Sequence, residues 1–274
     1  MGHSGKGSDF KKIIVALSDR YPHLFTDKKN LDYITLGRTF DYSFNTHKNT
    51  PLRASGSEFF SHLIRTALFV AKIGGSIKQT RNALVHDVFD IPNKRRKLSP
   101  RDHLLHAFGK PVFPKGTAEE LINHISALTG PKFYKGKFIY ANDPQFQSIE
   151  KSDENFWKER IEEQKKLFET GPDTIIPKIG DGFDNNTEIR RLNPQRAKNT
   201  FFKAKSRLKF YQHLEEEDLC KNWNKEDIGV FKRGLKALES AFEKMQKSFV
   251  RRKLISQEHL EKEIPYYSPL KGME

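Results

Sequence analysis

Four side chains of metal-ligand chemistry stand at spaced positions along this chain. They are His62 in FFSHLIRTALF, the adjacent pair His86-Asp87 in NALVHDVFD, and Asp181 in TIIPKIGDGFD. Singly, each has an ordinary reading. A histidine within an apolar helix is more often a hydrogen-bonded core residue than a ligand, and a His-Asp pair is no rarity in a chain with 10 histidines. Asp181 is less ordinary, because it follows an apolar run with no cation expected on its own helix face, and an unpaired buried carboxylate is costly. A bound cation would remove that cost. Two imidazoles and two carboxylates suit a divalent ion of borderline hardness, with manganese, iron and zinc all compatible. So few protein ligands leave positions for water and phosphate, as in a catalytic metal site. Asp90 follows His86 and Asp87 by one helical turn, which places its carboxylate on their side.

Ligands this far apart in sequence can meet only if separate helices carry them. Periodicity predicts a first helix over 8–25, then a polar, turn-rich stretch over 26–56. A strongly apolar helix is predicted over 57–73, opened by Ser57 and closed by Gly74-Gly75, and another over 77–90, stopped by Pro92. A basic loop, NKRRKLSPRDH, leads to a short helix near 102–108. Thr117 and Glu120 have the spacing of a capping box over a helix to about Leu128. GPKFYKGKFIYAND alternates aromatic residues and lysines around a Lys-Gly turn, the pattern of a small β-hairpin. Helices over 153–169, 173–190, 197–217, 225–250 and 256–263 complete an all-α chain with one minor hairpin.

Lys and Arg outnumber Asp and Glu by 49 to 35, a formal charge of +14, which favours polyanionic partners such as nucleotides or nucleic acid. The single cysteine, Cys220, excludes an intrachain disulfide and a cysteine-rich zinc module. No apolar run approaches the roughly 18 residues of a membrane span, and the start lacks a secretory apolar core, so a cytoplasmic protein is expected.

The order H…HD…D resembles the signature of the HD-domain phosphohydrolases, and more closely the hydrolase domain of RelA/SpoT-type alarmone enzymes and their small single-domain homologues. That family carries R-K-x-G-x-x-Y-x-x-H-P before its first ligand histidine. RASGSEFFSHL keeps Arg53, Gly56 and His62 in register, with Phe59 at the tyrosine. The family's H-D-x-x-E-D falls on His86 to Ile91, and its K-L-A-D-x-x-x-N on Lys178 to Asn185. An R-x-x-x-Q pair matches Arg160 and Gln164, and RLKFYQHLEE resembles the closing R-x-x-x-Y-F helix. The pattern departs at Asp90, one methylene shorter than the family's glutamate, and at Ala54, Leu63 and Ile91, which replace a lysine, a proline and an acid.

The resemblance implies an HD helical bundle over 45–215, preceded by an N-terminal helix and polar extension over 1–44. C-terminal helices over 216–274 are expected to pack on it. It implies one manganese ion on His62, His86, Asp87 and Asp181, with Asp90 and Asn185 catalytic. Arg53, Arg160, Gln164, Lys178 and Asn185 would contact substrate. The implied activity is removal of the 3′-pyrophosphate from guanosine 3′,5′-bis(diphosphate). Two alternatives stand beside it: a degenerate HD protein that binds nucleotide without turnover, and a basic nucleic-acid-binding module using the KFYKGKFIY hairpin.

Overall fold

The computed structural model describes residues 6–53, 56–89, 100–109, 116–140, 143, 145, 155–189 and 192–269. Among them the chain is helical apart from one hairpin, β1 (Lys132–Tyr134) paired antiparallel with β2 (Lys137–Ile139). Lys135 and Gly136 make its turn, both at positive φ. No helix among the described residues is long and apolar enough to cross a membrane.

The segment expected as one helix over 8–25 divides into α1 (Lys6–Leu17) and α2 (His23–Thr26). Ser18 Oγ donates to Val15 O (2.7 Å) and Pro22 follows, so the ladder stops. The polar stretch 26–56 is the larger correction, since most of it is α3 (Leu31–His47). Asn30 caps α3 by accepting from Asp32 N, and its inward face mixes Leu36 and Phe40 with Thr39, Ser43 and His47. Those buried polar residues hide the helical period. Thr117 does not cap its helix: α7 (Thr117–Thr129) starts from Gly116 without a side-chain cap, and Glu120 instead meets Lys78 Nζ at 2.5 Å.

α9 (Pro172–Thr187) is the central element, packed against α4 (Phe59–Lys72), α5 (Ile77–Val85) and α11 (Lys225–Arg251). Pro172 opens it at a position where a missing N–H costs nothing. Ile176 joins an apolar cluster with Ile64, Val70 and Leu84, whereas Ile175 and Ile179 join one with Leu235, Leu238 and Tyr211. All three isoleucines are fully buried, worth about 1.5–3 kcal/mol each. Apolar surface on two sides leaves Lys178, Asp181 and Asn185 on a third, at the spacing of one helix face. Pro177 lies inside α9 and cannot donate to the Asp173 carbonyl. Asn82 Nδ2 of α5 donates there instead, at 2.9 Å, joining the two helices beside the site.

α8 (Phe156–Thr170) and α10 (Pro194–Glu216) flank α9, and α6 (Pro100–Phe108) with α7 covers the end of α5. The segment after α11, with α12 (Gln257–Glu261), returns to the bundle: Lys205 Nζ donates to Leu260 O and Lys262 O, and Ser206 Oγ to Pro265 O. α11 contributes Phe231, Leu235, Leu238, Met245 and Phe249 to the same apolar cluster as α9 and α10.

Candidate metal centre

α5 is shorter than the predicted 77–90. It ends at Val85, with His86 as its C-cap and Asp87 in the turn beyond. The carbonyls freed there are taken by side chains. His86 Nδ1 donates to Ala83 O (2.8 Å), and Ser43 Oγ of α3 donates to Leu84 O (2.6 Å). The helix end thereby fixes the His86 ring. His62 comes from the middle of α4 and Asp181 from the polar face of α9. The two helices approach closely because residue 180 is glycine: a Cβ there would stand 3.0 Å from Val70 Cγ2 and 3.2 Å from Thr66 Cγ2.

The sequence-predicted ligands come together. His62 Nε2 lies 3.1 Å from His86 Nε2, and both rings are fully buried. Asp181 Oδ1 stands 3.4 Å from the first and 3.6 Å from the second. Asp87 reaches His86 Nε2 with Oδ1 (3.3 Å) and His62 Nε2 with Oδ2 (3.5 Å). The outer nitrogens decide what the inner ones present. A carbonyl can only accept, so His86 Nδ1 carries the proton it donates to Ala83 O. An ionised carboxylate can only accept, so His62 Nδ1 likewise donates to Asp184 Oδ2, at 2.6 Å. In the neutral rings both Nε2 atoms therefore present lone pairs to each other. Two lone pairs at that distance repel unless a cation lies between them, and an Nε2 lone pair is the usual metal donor.

The surrounding carboxylates favour positive charge at this point, and without a metal that charge would be protons on the rings. Burial favours neutral imidazole at His62, yet Asp181, Asp184 and Asp87 hold its pKa up to about 10. At His86 burial is likewise outweighed by Asp87 and Asp181, and the value rises to about 9. Burial would raise both ligand carboxylates. Instead Asp181 is held well below the usual range by Lys178, His62 and His86, and Asp87 by His86 and His62. Two buried carboxylates, Asp181 and Asp184, and the half-buried Asp87 around two imidazoles call for added positive charge, which protons or one divalent ion supply. Contrary to the sequence expectation, Asp181 does have cations near it: Lys178 Nζ at 3.3 Å, one turn back, and Arg207 Nη1 at 3.4 Å. Both reach Oδ2, and Oδ1 faces the imidazoles. His62, His86 and Asp87, whose ligand atoms lie within 4.8 Å of one another, fit a divalent ion of intermediate hardness, with Asp181 Oδ1 beside both imidazoles as the fourth candidate donor.

Beside the centre opens a cleft of about 310 Å³, bordered by Arg53, Asn185, Arg196, Lys203 and Arg207. Asn185 connects cleft and centre, donating to Asp181 Oδ1 and accepting from Arg53 Nη2 (2.5 Å). Arg53 is set by a turn in which Gly56, at φ 82°, donates to Arg53 O (2.8 Å). Arg207 Nε and Tyr211 Oη are buried without a hydrogen-bond partner. Charge on Arg207, then burial, hold Lys203 well below its ordinary pKa, with Arg160 and Lys178 adding to the effect. An anion in the cleft would relieve both features.

Three residues expected at the substrate are turned inward and do not border the cleft. Arg160 pairs with Glu163, and Lys178 Nζ donates to Leu128 O (2.5 Å) and lies 3.2 Å from Glu163. Gln164 donates to Ser206 Oγ (2.9 Å) and accepts from Tyr267 N (2.6 Å). They hold the helices in place instead. Asp90, Ile91 and the basic residues 94–97 lie outside the described residues. Sequence reasoning passed over Asp184, Arg65 and the cations of α10. Arg65 follows His62 and Asp184 follows Asp181 by three residues, a spacing that could have placed both at the centre. Lys203 and Arg207 stand four apart on one face of α10. The chain matches no protein-family model, and a comparison with curated proteins also gives no match.

Proposed function

We propose that the protein is a metal-dependent phosphohydrolase of the HD type, acting on a phosphorylated nucleotide. The observation that carries this reading is the convergence of two buried imidazole Nε2 atoms, 3.1 Å apart, with Asp181 and Asp87 beside a cationic cleft. A divalent ion held by His62, His86, Asp87 and Asp181 would supply a water of lowered pKa and polarise a phosphoryl oxygen. Arg207 offers a cationic donor to phosphate oxygens, and a bound phosphate would offset the neighbouring charge and burial that disfavour the ammonium form of Lys203, with Arg53 and Arg196 at other points of the cleft wall. Asn185 keeps Asp181 and Arg53 in fixed relation, so a phosphate held by Arg53 stays in register with the centre.

The resemblance narrows the substrate to guanosine 3′,5′-bis(diphosphate). Water would add to the phosphorus bonded to the 3′-oxygen, the P–O3′ bond would break with its electron pair going to the 3′-oxygen, which takes a proton, and pyrophosphate carrying the water oxygen would be released. The test is metal analysis of purified protein, then pyrophosphate and phosphate release from a nucleotide panel with and without Mn²⁺. Mn²⁺-dependent release is expected. Metal binding with nucleotide-induced thermal stabilisation and no turnover would support the degenerate alternative, motivated by Ile91. A second reading rests on the hairpin, where Tyr134 is 40% exposed beside exposed Lys135 and Lys137. A nucleic-acid surface there would show steep salt dependence and no need for metal.

A further inference from the structure

Asp184 lies one turn beyond Asp181 on α9 and is buried, yet it is oriented away from the two Nε2 atoms. Its Oδ2 receives the His62 Nδ1 proton at 2.6 Å. Its Oδ1 receives Arg65 Nε at 2.6 Å, and Arg65 Nη2 reaches Oδ2 at 3.1 Å. Arg65 stands one turn beyond His62 on α4 and extends to Glu188, whose Oε1 is 2.7 Å from its Nη2. Glu188 is held in turn by Ser57 Oγ at 2.6 Å. A planar guanidinium gripping a carboxylate through two nitrogens leaves it little rotational freedom.

We infer that Asp184 is a positioning residue of the metal centre, and that Arg65 is the clamp that keeps it on His62 and out of the ligand set. The inference rests on the metal-centre reading above. A carboxylate accepts only, so it permits a single tautomer at His62, the one with the Nε2 lone pair free for a metal. An amide in its place offers donors as well as an acceptor. It lets His62 carry its proton on Nε2, where the ring cannot ligate. Asp184 also increases the electron density of the ring and so its strength as a donor. Without Arg65 the Asp184 carboxylate keeps only the looser contact of Arg53 Nη1, 3.5 Å from Oδ2, and loses the two-nitrogen grip that sets its plane against the His62 ring.

The experiment measures Mn²⁺ affinity by competition with a chromophoric chelator, together with the visible spectrum of the Co²⁺-loaded protein. Wild type, Asp184→Asn, Asp184→Glu and Arg65→Gln are compared, each with the melting temperature of its metal-free form. Asp184→Asn is expected to weaken Mn²⁺ binding by about 10–100-fold and to alter the Co²⁺ spectrum. Asp184→Glu should recover part of the affinity, and Arg65→Gln should lose less than Asp184→Asn. A purely structural role would lower the metal-free melting temperature and leave affinity per folded molecule unchanged, and that result overturns the inference. Wild-type protein that takes up neither Mn²⁺ nor Co²⁺ defeats the metal centre itself, a failure visible before any variant is compared.

Discussion

Glu163 should be among the most costly single charges to remove from this protein. It is 1% exposed and lies at the meeting of α8, α9 and α10. Arg160 donates to it, Arg207 Nη2 lies at 2.7 Å and Lys178 Nζ at 3.2 Å. Burial alone would raise its pKa, but Arg160, Arg207, Lys178 and Lys203 hold it well below the usual carboxylate range, so it is charged at any working pH. Glu163→Gln keeps the shape and removes the charge, leaving cations whose desolvation is no longer offset. Breaking one buried ion pair costs about 3–5 kcal/mol. All three contacts share one carboxylate, and Asp181 still faces Lys178 and Arg207, so the figure for a single pair applies rather than three times that. In a chain of this size such a loss lowers the melting temperature by roughly 6–20 °C. Urea unfolding of metal-free protein should show a lower midpoint at unchanged slope. Adding Lys178→Met removes one stranded cation, so the double variant should be about 0.5–3 kcal/mol more stable than the sum of the single effects allows. A Glu163→Gln protein within about 1 kcal/mol of wild type, or strict additivity, would refute the reasoning.

Three further outcomes are expected. His86→Ala removes one Nε2 donor, and metal analysis should find its Mn²⁺ content well below that of wild type at equal folding; full content would remove His86 from the centre. Gly180→Ala inserts a Cβ 3.0 Å from Val70 Cγ2 and 3.3 Å from Thr66 O, so calorimetry should show a loss of about 1–3 kcal/mol, with weaker Mn²⁺ binding as α9 shifts from His62. Burial lowers the His47 pKa to about 4, despite its Nδ1–H donating to Ser43 O at 2.8 Å. The unfolded chain then binds the extra proton between about pH 4 and pH 6.5, so stability falls as pH drops through that window, by up to about 3 kcal/mol. Urea midpoints at pH 7, 5.5 and 4.5 should show this slope, and His47→Gln should flatten it.

The apolar periods of the sequence marked α4, α7, α9, α10 and α11 to within a few residues, because each carries a hydrophobic face and burial follows it, and α8 was placed equally well although most of what it buries, Glu159, Arg160, Glu163 and Gln164, is polar. The hairpin was equally legible, since Lys135-Gly136 supplies the positive φ its turn requires. So was the meeting of His62, His86, Asp87 and Asp181 at one place, because polar groups set into apolar runs have to find partners. α3 was not legible: Thr39, Ser43 and His47 are buried by what packs over them, which local composition does not record. The end of α5 depended on His86 folding back to Ala83 O and on Ser43 arriving from another helix. The orientation of the basic residues was also beyond sequence. Arg160, Lys178 and Arg207 look alike in sequence and all three meet buried Glu163, yet only Arg207, with Lys203, also borders the cleft, because α10 and not α8 or the start of α9 forms that wall. Ligand types follow from residue identity, but which nitrogen is free and which cation is spent depend on contacts between helices far apart in the chain. Asp184 and Arg65 are the clearest case, each one turn from a candidate ligand in sequence and joined in space to each other and to the His62 ring.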